Sequence, residues 1–167
     1  VHTPEVRRAE REKCERDMYY LATRLGYDKL YPELHRPLCD RFQTKPKGKF
    51  RLTMIPRGHF KTTIGVVVRS IWTWLHDPMH RFLNAHALHP QSKKNVREIQ
   101  NHFESNDYLR DIAPDICYKN PAKESPSWTA AELTIKRPKF HRVPSFTASA
   151  VGVSTVGLHF NTFLMDD

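Results

Sequence analysis

The residues best equipped for chemistry form one short run, Pro56-Arg57-Gly58-His59-Phe60-Lys61-Thr62-Thr63. A loop of this kind, set between a strand and a helix, binds phosphate. Backbone N–H groups at the helix start face the anion, and the helix dipole favours negative charge there. Lys61 would then reach the β- and γ-phosphates, and the Thr62 hydroxyl would supply an oxygen ligand for Mg²⁺. His59 lies in the same run and would line the nucleotide. The run departs from the usual G-x-x-x-x-G-K-[ST] pattern, because Phe60 stands at the last glycine and Pro56 at the first, leaving Gly58 alone. Taken by itself, it also reads as a basic structural loop ahead of a buried helix.

A second group, Phe163-Leu164-Met165-Asp166-Asp167, supplies what the loop lacks. An apolar strand delivers a pair of acids at its carboxyl end, which is where α/β sheets bind ligands. Asp166 would hold Mg²⁺ through its water shell, and Asp167 would orient or deprotonate an attacking water. Asp167 reaches one methylene less far than the glutamate usual at such a position. Taken alone, the pair also reads as two solvated acids.

These groups need elements to position them. The spacing of Met18, Tyr19, Leu21, Ala22 and Leu25 predicts one helix from Pro4 to Leu25, stopped by Gly26. A second helix is expected from Pro32 to Phe42, with Leu34, Leu38 and Phe42 on one side. Phe50 to Ile55 reads as a buried strand leading into the phosphate loop, and a helix from Thr62 to about Leu75 leads out of it, ending near Asp77-Pro78. A strand over Arg81 to Ala87 and an amphipathic helix over Pro90 to Phe103 follow, with Val96, Ile99 and Phe103 turned inward. Asp107 to Pro126 reads as loop-rich, with Pro114, Pro121 and Pro126. Strands are expected at Glu132 to Ile135, Ser145 to Val151 and Thr162 to Met165. Strands alternating with helices define an α/β domain with a mostly parallel sheet.

Composition narrows the class. With 167 residues, 39% hydrophobic and 27% charged, the chain has the make-up of a folded domain with a sizeable core. The longest apolar run, Ile64 to Leu75, is interrupted by Arg69 and Ser70, so no membrane span is expected. Cys14, Cys39 and Cys117 form no CxxC pair and read as reduced thiols in a cytosol, with Cys39 buried and not nucleophilic. The net charge is +9, and it is concentrated. Eight basic residues and no acid lie between Arg41 and His76, and four basic residues and no acid lie between Thr134 and Met165. Both stretches suit phosphate, whether of a nucleotide or of a nucleic acid backbone. His76 and His80 flank Pro78, and His86 and His89 lack a third ligand, so a zinc site is not expected. Trp72 is expected in the core with Ile71, Leu75 and Val68.

The series of motifs resembles the ATPase domain of tailed-phage terminase large subunits, including those carried by prophages. It comprises His35 to Asp40, Ile55 to Thr63, Ser127-Trp128 with Leu133-Thr134-Ile135, Val151 to Ser154, Gly157 to Phe160 and Phe163 to Asp167. Arg57 falls four residues before Lys61, where the terminase type of phosphate loop carries its arginine. The resemblance implies an α/β P-loop NTPase fold, RecA-like and of the additional-strand class. Residues 1–45 would form a helical lead-in and residues 46–167 the ATPase core, cut after the acid pair, with the family's nuclease domain absent. It implies an Mg²⁺-dependent ATPase with ATP as cofactor. Pro56 to Thr63 would hold the nucleotide, Thr62 and Asp166 the metal, and Asp167, Arg57 and Lys61 would be catalytic. Arg137 and Arg142 are candidates for an arginine supplied to a neighbouring subunit, and an adenine-contacting segment is expected within Tyr31 to Asp40. The implied partners are double-stranded DNA, a portal protein, a small terminase subunit and further copies in a ring. The implied setting is the bacterial host cytoplasm and, transiently, the procapsid portal. Two rivals stand beside this reading: a helicase-like ATPase of the same core, and a non-hydrolysing nucleic-acid-binding or assembly module from a truncated prophage gene.

Overall fold

Thr3 opens the first helix by accepting a hydrogen bond from the Val6 amide, and Pro4 and Glu5 suit the first turn of α1 (Pro4–Arg16). The computed structural model describes residues 2–44, 48, 50–153 and 157–166. The single helix expected over Pro4 to Leu25 is divided at Asp17. That residue is extended (φ −132°, ψ 102°), and its carboxylate accepts from the Tyr20 amide at 2.9 Å, capping α2 (Met18–Arg24). A side chain able to satisfy free helix-start amides stabilises a new start over a continued helix. Gly26 follows at φ 105°, a conformation that glycine adopts without cost. α3 (Pro32–Gln43) comes next.

The strand expected over Phe50 to Ile55 is not formed. The segment has no regular structure and joins no sheet, and Phe50, Leu52 and Met54 are 92%, 78% and 82% exposed. Its alternation is real, but side chains hold it instead of backbone pairing. The Arg51 guanidinium donates to the Arg41 and Thr44 carbonyls at the end of α3, and Arg41 donates to the Leu52 carbonyl at 3.3 Å.

After the loop the chain turns helical at Lys61, widens into a π-helical segment (Thr63–Val68) and continues as α4 (Arg69–His76). Ile64 to Val68 are all buried. β1 (Phe82–His86) and α5 (His89–Ser105) follow. The stretch expected to be loop-rich holds two short helices. These are α6 (Asp107–Ile112), capped by the Asn106 side chain, and α7 (Pro121–Glu124), opened by its proline. β2 (Glu132–Leu133), β3 (Phe146–Ala150) and β4 (Thr162–Asp166) complete an open sheet in the order β2-β3-β1-β4. β1 lies parallel to β3 and to β4, with Phe82 opposite Phe146 and Thr162, and β2 runs antiparallel to β3. The fold is therefore α/β with a mixed, mostly parallel four-stranded sheet.

The parallel register sends β1, β3 and β4 in one direction, so their carboxyl ends, at His86, Ala150 and Asp166, form one edge. α5 packs on β1 and β3 through Val96, Ile99 and Phe103, all buried. Trp74, not Trp72, is the core indole. It is fully buried, with the rings of Phe82, Phe103 and Phe146 set edge-on at 5.7, 5.9 and 6.5 Å. Trp72 lies half-buried against that core and donates its Nε1–H to the Glu15 carbonyl at 3.0 Å.

Candidate functional site: a phosphate loop facing a strand-end carboxylate

The two chemical groups of the sequence meet at the carboxyl edge of the sheet. Thr62 Oγ1 donates to Asp166 and lies 3.0 Å from Oδ1 and 2.8 Å from Oδ2, although the residues are 104 positions apart. Both are half-buried. β4 carries Asp166 there because residues alternate along it: Leu164 is buried, while Phe163 and Met165 are exposed. A buried side-chain bond supports the register. Asn84 of β1, fully buried, donates to the Leu164 carbonyl at 3.2 Å and accepts from Asn95 of α5 at 2.9 Å. Nothing in the sequence reading singled out Asn84 or Asn95. Their signal was a polar residue inside the apolar run Phe82-Leu83-Asn84-Ala85.

The loop surrounds an open cavity of about 340 Å³ lined by residues 55–63. Pro56, Arg57 and Gly58 stand exposed on its rim, while His59, Phe60, Lys61, Thr62 and Thr63 are half-buried around it. Gly58 turns the chain at φ 83°. Phe60, where glycine is usual, is also left-handed at φ 52°. For a residue with a Cβ that conformation costs about 1–2 kcal/mol, so the surroundings must hold it. They do so through α3: the Phe60 ring sits edge-on to the buried His35 ring at 5.6 Å, and His35 Nδ1 accepts from the Tyr31 amide at 2.8 Å. This support escaped the sequence reading because it joins positions 25 residues apart with no shared motif.

The π-helical turn begins directly behind Thr62. π-helical turns are rare and concentrate at functional sites. Here the run Val66-Val67-Val68 crowds a normal α-turn with branched side chains. Gly65 lets the widened turn approach α3, since a Cβ there would meet Phe42 Cζ at 3.0 Å.

Other expected groups fall elsewhere. Asp167 lies outside the described residues, as do Lys45, Lys47 and Lys49 of the first basic stretch. Arg137 and Arg142 sit on the loop before β3, at the amino edge of the sheet and away from the phosphate loop. Among the described residues, no three His, Cys, Asp or Glu side chains gather as a metal site. His76 lies against Trp72 and His80 bonds to Thr162, so the two histidines serve separate contacts. Cys39 is fully buried, and burial pushes its thiol up to about 12, which leaves it no nucleophilic character near neutral pH. No helix among the described residues is long and apolar enough to cross a membrane. No protein-family model, curated protein or solved structure matches the chain.

Proposed function

We propose that the chain is a nucleotide-binding, Mg²⁺-dependent ATPase domain of the P-loop class, RecA-like and of the additional-strand type. The observation that carries this reading is the meeting of Thr62 with Asp166 at the mouth of the loop. Mg²⁺ takes hard oxygen ligands at about 2.0–2.1 Å in an octahedron, whose neighbouring ligands stand roughly 2.9 Å apart. The Thr62 hydroxyl lies 3.0 and 2.8 Å from the two Asp166 carboxylate oxygens, so Thr62 would ligate Mg²⁺ directly while Asp166 holds it through its water shell. Two protein oxygens suffice, because Mg²⁺ retains waters and takes the rest from substrate phosphates.

In this reading Pro56 to Phe60 wrap the phosphates and Lys61 meets the β- and γ-groups at the helix start. Arg57, on the rim, offsets charge from the solvent side. Thr62 and Asp166 would hold Mg²⁺, which would supply charge neutralisation for the phosphates. The chain's own residues contribute positioning and electrostatics: Thr62 and Asp166 fix the metal's place, and Asp167 would direct the attacking water. The motif order supports a narrower proposal, the motor ATPase of a terminase large subunit acting in a bacterial host cytoplasm at a procapsid portal. Double-stranded DNA, a portal protein, a small terminase subunit and a ring of copies would be its partners.

Calorimetric titration of Mg-ATP into this chain and into Lys61→Ala tests the site without needing a partner. Saturable binding abolished by Lys61→Ala is the expected result. No binding by a chain with intact circular dichroism would end the ATPase reading and put the non-hydrolysing assembly module first.

A further inference from the structure

The second basic stretch forms a built surface at the opposite edge of the sheet. The loop of residues 136–144 enters β3 at its amino end, beside Arg81 before β1 and Asn161 before β4. A five-residue strand separates the two edges by about 13 Å, so this surface is distinct from the phosphate loop.

Its backbone is held from within. The Arg137 guanidinium donates to the Val143 carbonyl at 3.0 Å and to the His141 carbonyl at 2.9 Å. His141 Nδ1 accepts from the Val143 amide at 3.0 Å, and the Arg81 guanidinium lies beside the same ring and donates to Asn161 Oδ1 at 3.1 Å. Arg142 reaches the Gly157 carbonyl at 3.4 Å. Burial and the nearby Arg81 and Arg137 lower the pKa of His141, as expected where cations crowd. None of the ion pairs among the described residues involves Arg81, Lys136, Arg137, Lys139 or Arg142. Arg81, Arg137 and Arg142 gather around His141 with no bridging carboxylate among the described residues, and such a group attracts a polyanion.

A second feature narrows the partner. Phe140, between the exposed Lys139 and Arg142, is 83% exposed. Beside it opens a cavity of about 470 Å³ lined in part by Phe140, His141 and Arg142. Its other wall offers Ser127, Thr134 and Glu132, with Ser127 Oγ donating to Glu132 at 3.2 Å. A bare aromatic ring flanked by cations above a cleft that mixes apolar and polar lining is the pairing that receives an unstacked base while its phosphates lie on the cations.

We propose that this edge binds single-stranded nucleic acid. The backbone lies across Lys136, Lys139 and Arg142, and a base stacks on Phe140 at the mouth of the cleft. Arg81 and Arg137 act as positioning residues, because their guanidinium groups hold the loop. The proposal stands independently of the nucleotide site.

The test is fluorescence anisotropy of a labelled single strand of about ten nucleotides, without ATP, over a series of salt concentrations. Each cation lost should reduce the slope of log affinity against log salt by about 0.7, so Lys136→Gln/Lys139→Gln/Arg142→Gln should reduce it by about 2. Phe140→Ala should weaken binding about tenfold, within the range for one lost base stack. All these side chains are exposed, and circular dichroism would verify that the variants fold. Lys61→Ala should bind the strand as the parent does, whatever becomes of ATP binding. A slope unchanged in the triple variant, or an affinity unchanged in Phe140→Ala, overturns the proposal, as does a parent chain that ignores the strand.

Discussion

Thr62 and Phe60 carry the sharpest consequences for single side chains. Valine matches threonine in shape and removes only the hydroxyl, so Thr62→Val tests the oxygen and not the packing. Mg-ATP affinity by calorimetry should fall about tenfold or more, the scale on which metal-supporting groups act, and Thr62→Ser should restore it. A full-affinity Thr62→Val chain would remove the hydroxyl from the site. Phe60 separates two contributions, the left-handed backbone and the ring against His35. Phe60→Ala and Phe60→Gly lose the same ring contact, but alanine retains the backbone penalty. The glycine variant should therefore be the more stable by about 1 kcal/mol, a difference of roughly 3 °C in Tm for a chain of this size. The pairing of Thr62 with Asp166 was readable from local types and spacing. His35 was not, because its role exists only once α3 lies under the loop.

Between elements, the helical layer is tied together by side chains whose titration predicts its acid behaviour. Glu10 of α1 takes hydrogen bonds from Lys13, from Tyr20 of α2 and from Tyr108 of α6, which together hold its carboxyl down from 4.5 to about 2. His102 of α5 is held neutral, its pKa lowered by burial from 6.5 to about 4. The Tyr27 hydroxyl gives its proton to Glu98 at 2.6 Å, so His102 Nε2 carries the hydrogen that meets Tyr27 at 2.8 Å, and Nδ1 accepts from Asn106. Both folded pKa values lie below the unfolded ones, so both contributions are present above the unfolded pKa and are lost as pH falls. Chemical-denaturation stability should decline in two stages, from about 6.5 to about 4 for His102 and from about 4.5 to about 2 for Glu10. His102→Gln should flatten the first stage and Glu10→Gln the second; an unaltered profile would show that these clusters do not govern acid unfolding. At this scale the sequence was legible where a pattern implies its own partner, as Val96, Ile99 and Phe103 do for α5. It misled where the partner is implied but not supplied: Phe50, Leu52 and Met54 alternate like a strand, yet Arg51 and Arg41 fasten the segment to α3 and no neighbour pairs with it. The cap at Asp17 was visible in residue type but hidden by apolar spacing that runs through it.

Across the whole molecule, one mostly parallel sheet sets the proposed phosphate loop at its carboxyl edge and the cationic loop at its amino edge. The charge runs are visible in the sequence, but their separation follows only from the strand order. That order also leaves β4 outermost, bonded to β1 along one side alone. In a parallel strand successive residues direct their amides to opposite sides, so only every second amide of Thr162–Asp166 can bond to β1. Deuterium uptake along this one strand should therefore fall into two populations, slow amides locked to β1 alternating with neighbours that exchange as quickly as those of a surface loop. Uniformly slow exchange, read residue by residue by NMR, would mean that the outer side of β4 is covered in solution. Binding of Mg-ATP at Asp166 should then slow the locked amides and leave their outward neighbours fast, so isotope labelling along this strand would report the state of the site.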